Sequence, residues 1–133
     1  MSALLDTHVI IWLATADPSL GKRSHTLIDA AAQSGALAVS AISFWEIALL
    51  IEKGRLQTSL AAEELRNRLL HAGVVEVPLS GDIAVLATQL GLHADPADRF
   101  IAASAISRGA TLLTADDRLL SWQHALKRHD ARR

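Results

Sequence analysis

The stretch Asp95-Pro96-Ala97-Asp98-Arg99-Phe100-Ile101-Ala102-Ala103-Ser104-Ala105-Ile106-Ser107-Arg108-Gly109-Ala110-Thr111-Leu112-Leu113-Thr114-Ala115-Asp116 reads as one helix-to-strand unit of an α/β fold. Asp95 is a good N-cap and Pro96 suits the first helical turn, so a helix is expected over residues 97–108. Gly109 stands where a helix closes in the left-handed conformation. Residues 110–114 then form a short apolar run with the length of a buried strand, and a short helix follows over about 117–122. The unit ends on a carboxylate, Asp116, at the point where the strand gives way to that helix.

The same alternation extends back to the N-terminus. Residues 3–6 read as a buried strand, 8–16 as a helix, 22–34 as a second helix closed by Gly35, and 36–40 as a strand. Residues 43–53 carry Phe44, Trp45, Ile47, Leu49, Leu50 and Ile51 on nearly every face, the pattern of a helix that is buried or covered by another chain. An amphipathic helix is expected over 59–72, a strand over 74–77, and a helix over 81–90 capped by Ser80. Strands alternating with helices imply parallel pairing through right-handed crossovers. The expected fold is therefore a three-layer α/β/α domain with a mostly parallel central sheet, and such sheets bind ligands at the carboxyl ends of their strands. The expected boundaries are one domain over residues 1–126 and a polar, basic tail over 127–133, mobile and without strand character.

Composition bounds what this domain can do. The chain has 133 residues, enough for one core, and 50% of them are hydrophobic, which with 7 glycines leaves apolar surface for a partner. Cysteine is absent, which excludes a disulfide framework, a thiolate zinc site, an iron–sulfur cluster and a cysteine nucleophile. No basic leader precedes Asp6 and no apolar run reaches the ~20 residues of a membrane span, so a soluble cytoplasmic protein with no membrane contact is expected. With 4% aromatic residues and no tyrosine, a passive base-stacking nucleic-acid binder is disfavoured. The net charge is −1, with Lys127, Arg128, Arg132 and Arg133 concentrated at the C-terminal end and a mildly acidic body before them.

Four acids, Asp6, Glu46, Asp98 and Asp116, fall where an expected strand ends or the following helix begins. Each has an ordinary reading as a helix cap: Asp6 and Asp116 as N-caps, Ser43-x-x-Glu46 as a capping box, and Asp98 as the acid in the turn opened by Asp95. Capping does not explain why all four should gather on one edge of a sheet among aliphatics such as Leu4, Leu5, Leu112 and Leu113. Clustered anions repel, and a hard divalent cation, Mg²⁺ or Mn²⁺, is the natural counter-charge. Such a site supports phosphodiester hydrolysis, because the ion stabilises phosphoryl charge and acidifies a water.

Leu4-Leu5-Asp6-Thr7-His8, Ser43-Phe44-Trp45-Glu46-Ile47-Ala48, Asp95-Pro96-Ala97-Asp98-Arg99 and Leu113-Thr114-Ala115-Asp116 resemble the four successive motifs of PIN-domain ribonucleases, in particular the VapC toxins of bacterial toxin–antitoxin pairs. The resemblance runs from about residue 3 to residue 122. It implies a Mg²⁺- or Mn²⁺-dependent endoribonuclease in which Asp6, Glu46, Asp98 and Asp116 form the acidic quartet and hold the metal, with Thr114 bringing a hydroxyl to the same site. It also implies a homodimer silenced by an antitoxin protein. Two departures stand out. Members often carry another strand after the last acidic motif, whereas residues 123–133 show no strand pattern here, and Asp116 and Asp117 are adjacent, with motif register favouring Asp116 and Asp117 read as the cap of the next helix.

Other residues carry weaker signals. Arg99 beside Asp98 could clamp a substrate phosphate or simply neutralise nearby acids. His8 and His93 lie near Asp6 and Asp95, but no third spaced histidine argues for catalytic zinc. Trp12, Trp45 and Trp122 read as core. Two other functions compete with the nuclease: a phosphatase or phosphotransfer domain using Asp6 as nucleophile, which lacks a second acid two residues on where His8 stands, and an interaction module of the same fold without catalysis.

Overall fold

The computed structural model describes residues 1–133. Its single sheet is made of β1 (Ala3–Leu5), β2 (Leu37–Ser40), β3 (Val75–Val77), β4 (Thr111–Thr114) and β5 (Arg128–Asp130). The spatial order is β3-β2-β1-β4-β5 and every neighbouring pair is parallel. The central strands are the apolar runs foreseen in the sequence. Leu4 and Leu112 are buried on one face among Ile83, Ile101 and Ala105, while Leu5 and Leu113 are buried on the other among Val9, Ile10, Ile28 and Ile47. A strand apolar on both faces requires helices on both faces.

Those helices are α1 (Thr7–Ala14), α2 (Lys22–Gln33), α3 (Ala41–Glu52), α4 (Ala62–His71), α5 (Gly81–Thr88), α6 (Pro96–Arg108) and α7 (Asp117–Ser121). No helix is long and apolar enough to cross a membrane. The chain winds outward from β1 to β2 and β3, then returns through α5 and α6 to place β4 on the other side of β1. The order of winding therefore reverses between β1 and β4, and the crevice beyond their carboxyl ends is where such a sheet binds its ligand. Leu5 pairs in register with Leu113 and Val39, so Asp6, Thr114 and Ser40 follow one another across that edge.

Four expectations need correction. Residues 127–133 are not a mobile tail. Arg128–Asp130 is an edge strand, bonded from Leu112 N–H to Lys127 C=O at 2.9 Å and from Ala131 N–H to Thr114 C=O at 2.9 Å. Its side chains are polar because an edge strand tolerates charge, so it shows no apolar pattern. Arg128 donates to the carbonyls of Leu119, Trp122 and His124, Ala131 is fully buried, and Gly21 N–H and Ser24 N–H hold the Ala131 and Arg133 carbonyls. Secondly, α3 begins at Ala41 under a Ser40 cap, so Ser43-x-x-Glu46 is no capping box. Ser43 is buried inside the helix. Thirdly, Asp116 rather than Asp117 caps α7, while Asp117 is exposed and pairs with Arg132 at 3.0 Å. Trp45, read as core, is 57% exposed.

Candidate active site

Asp6 follows β1 directly and is almost fully buried. Its Oδ1 accepts the Thr7 N–H at 2.7 Å and its Oδ2 accepts the Thr114 hydroxyl at 2.6 Å. The Thr114 oxygen accepts in turn from the Asp116 N–H at 3.0 Å, so one hydroxyl at the end of β4 holds the Asp6 carboxylate and the Asp116 backbone. A second hydroxyl pair holds Glu46. Thr7 Oγ1 lies 2.5 Å from Glu46 Oε1 and 2.9 Å from Ser43 Oγ. A hydroxyl has one proton, so Thr7 donates to the carboxylate and accepts from Ser43.

Asp98 enters from the first turn of α6, whose N-cap Asp95 accepts the Asp98 N–H at 3.2 Å. Its Oδ2 faces His93 Nε2 at 2.6 Å and the Arg118 guanidinium at 3.4 Å. The same Arg118 nitrogen lies 3.4 Å from Asp116 Oδ2. One ligand atom each from His93, Asp98 and Asp116 falls within 4.8 Å of the others.

The electrostatics match a crowded anionic cleft. Burial pushes Asp98 up to about 6 against the opposing His93 hydrogen bond, with the charges of Asp6, Asp95 and Asp116 adding to the rise. Burial likewise pushes Glu46 up to about 6, opposed by the Thr7 hydroxyl and reinforced by Asp6, Asp98 and Asp95. Asp116 goes the other way: burial would raise it, but the backbone and guanidinium hydrogen bonds of Arg118 hold it below the usual carboxylate range. Carboxylates raised by burial, with neighbouring carboxylates adding to the rise, mark a site that gains from a cation.

All five residues expected at the site, Asp6, Glu46, Asp98, Asp116 and Thr114, stand together here. Arg99 does not join them. Its guanidinium holds the carbonyls of His93 and Leu92 at 3.0 and 2.8 Å, with Ala87 at 3.4 Å, and so fixes the loop before α6. His8 spends Nε2 accepting the Ala115 N–H at 3.1 Å, which removes that nitrogen from metal binding. Sequence reasoning missed Thr7, Ser43 and Arg118. The last had a visible signal, because a cation two residues after an N-cap acid is placed to turn back towards it.

The family model described as PIN domain matches residues 3–123. Ribonuclease VapC22 of Mycobacterium tuberculosis is 35% identical over 124 residues, covering 92% of this chain and 93% of that protein. Among solved structures, VapBC2 of Rickettsia felis, bound to a DNA fragment from its promoter, is similar with a TM-score of 0.69 at 20% identity, covering 97% of this chain and 98% of that one. A toxin–antitoxin complex from Klebsiella pneumoniae is similar with a TM-score of 0.62 at 21% identity, covering 94% and 95%.

Proposed function

The chain belongs to the PIN-domain family, and from that premise and the acidic cleft we propose that it is a metal-dependent endoribonuclease, the toxin of a type II toxin–antitoxin pair. The observation that carries this reading is the convergence of Asp6, Glu46, Asp98 and Asp116 from four separate elements at the reversal point of the sheet, with two of them raised to about 6. The 35% identity to a ribonuclease over nearly the whole chain supports the substrate class.

The donor set fits a hard divalent ion: carboxylate oxygens of Asp98 and Asp116 with the His93 imidazole nitrogen beside them, and the charges of Asp6 and Glu46 at the same cleft. Asp6, Asp98 and Asp116 would hold Mg²⁺ or Mn²⁺, with Glu46 at the same cleft. When bound, the ion would supply Lewis acidity towards a phosphoryl oxygen and a water of lowered pKa. The protein's own part is orientation and proton handling. Thr114 and Thr7 fix the Asp6 and Glu46 carboxylates, so little reorganisation is left for the reaction. Glu46, raised to about 6, is placed near neutrality where a carboxylate can take a proton from an attacking water.

A phosphotransfer role for Asp6 lacks its partner acid: His8 stands two residues on, and its Nε2 is taken by the Ala115 N–H. A purely structural module leaves the gathered charge without purpose.

The partner reading has its own support. An apolar groove lined by Ile11, Ile47, Ile51, Leu56, Leu60 and Leu65 runs between α1, α3 and α4 and suits the apolar segment of an antitoxin. The exposed Trp45 and Val85 suit a homodimer contact. Incubation of the purified chain with RNA, with Mg²⁺ or Mn²⁺ and with EDTA, tests the activity. Metal-dependent cleavage supports the proposal, and intact RNA in every arm contradicts it.

A further inference from the structure

Among the charged groups at the cleft, Arg118 is the one that the quartet does not explain. Its guanidinium nitrogen is equidistant, at 3.4 Å, from Asp98 Oδ2 and Asp116 Oδ2. Charge-assisted N–H···O bonds are about 2.7–2.9 Å long, so both contacts are loose. The side chain is 61% exposed, so most of its surface is already in solvent. Its backbone N–H, in contrast, is fixed at 2.8 Å to Asp116 Oδ1. Arg118 is thus a tethered cation lying between two carboxylates that the reading above assigns to the metal.

We propose that Arg118 is the resident counter-ion of the metal-free site, displaced from between Asp98 and Asp116 when the metal enters, and that it then binds the phosphate of the RNA. A cation bound to these two oxygens competes with the guanidinium for the same carboxylate charge. A divalent ion bonded to both would face the guanidinium across a few ångströms, and their repulsion drives the longer, exposed side chain outward. A phosphate brought to the metal supplies the anion that lets both cations remain at the cleft, and the guanidinium fork matches its oxygens. Arg118 therefore weakens metal binding when RNA is absent and strengthens RNA binding when metal is present.

This inference rests on the metal reading of the site, and the experiment separates the two. Mn²⁺ binding is followed by electron paramagnetic resonance on the wild-type protein, Arg118→Gln and Arg118→Lys, without RNA, and KM for RNA is measured at saturating Mn²⁺. Arg118→Gln should bind Mn²⁺ about 5-fold or more tightly, the scale of a typical coupling between two sites, and should show a raised KM. Arg118→Lys keeps the charge and should return Mn²⁺ affinity towards wild type. If wild type binds Mn²⁺ and Arg118→Gln binds it equally or less well, the counter-ion role is overturned, and an unchanged KM overturns the phosphate contact. A wild-type protein that binds no Mn²⁺ removes the metal reading itself, and this inference with it.

Discussion

Thr114 donates to Asp6 at 2.6 Å across 108 residues of chain, and this single bond ties the carboxyl end of β4 to that of β1. Both residues are buried, so neither group can turn to water if the other is lost.

Thr114→Val keeps the shape but removes the donor to Asp6 and the acceptor of the Asp116 N–H. Leaving buried polar partners unsatisfied should cost about 1–3 kcal/mol, and cleavage should slow because the Asp6 carboxylate loses its orientation and the Asp116 backbone its anchor. Thr114→Ser should retain most of both. Chemical denaturation beside an RNA cleavage assay checks this; a valine variant as stable and active as wild type would remove Thr114 from the site.

The pH dependence has a definite direction. Asp98 and Glu46 titrate near 6 in the folded chain and in the ordinary carboxylate range when unfolded. Between those values the folded state holds protons that the unfolded state has released, so their contribution to stability is greatest below the ordinary range and is lost as pH rises through about 6. Asp116, depressed by Arg118, contributes the opposite way, and its share is lost only in more acidic solution. Metal binding needs the deprotonated carboxylates, so Mn²⁺ affinity should weaken as pH falls through about 6. Melting curves across this window, with and without Mn²⁺, should show the two trends, and Asp98→Asn should flatten the metal-free one.

The C-terminal strand should be indispensable. Deleting residues 127–133 removes β5, exposes the edge of β4 and takes away the buried Ala131, so cooperative unfolding should be lost or strongly weakened. Gly21→Ala probes the same region more gently. A Cβ there would sit 2.1 Å from the Arg133 carbonyl carbon, in a backbone conformation alanine otherwise accepts, so the C-terminal segment must shift. A loss of about 1–3 kcal/mol is expected, as for other overpacked sites. Circular dichroism melts of both variants measure it.

What could be read from the sequence followed where side-chain pattern decides structure. β1 and β4 are apolar on both faces because helices cover both, and a run such as Leu112-Leu113 shows this without any partner in view. β5 could not be read in this way. Arg128-His129-Asp130 is held by main-chain bonds to β4 and by Arg128 reaching carbonyls near α7, none of which leaves a periodic trace. At the site, the acids were legible because each ends a strand or opens a helix. Their cation was not. Arg99 and Arg118 both follow an acid closely, and only the folded chain shows that Arg99 turns to backbone carbonyls while Arg118 turns to Asp98 and Asp116. Capping and chemistry also proved compatible, since Asp6 and Asp116 cap helices while standing in the cleft.

One metal-dependent nuclease site and a set of helix caps predict opposite outcomes when a single gathered acid loses its charge. The most direct test is the rate of RNA cleavage by Asp6→Asn at saturating Mn²⁺, beside wild type. Asparagine matches aspartate in shape and caps a helix about as well, so α1 should be preserved. A nuclease site requires cleavage lowered by roughly 100-fold or more with the fold retained, as when a group that places charge at the reacting centre is removed. Cleavage at the wild-type rate would contradict it.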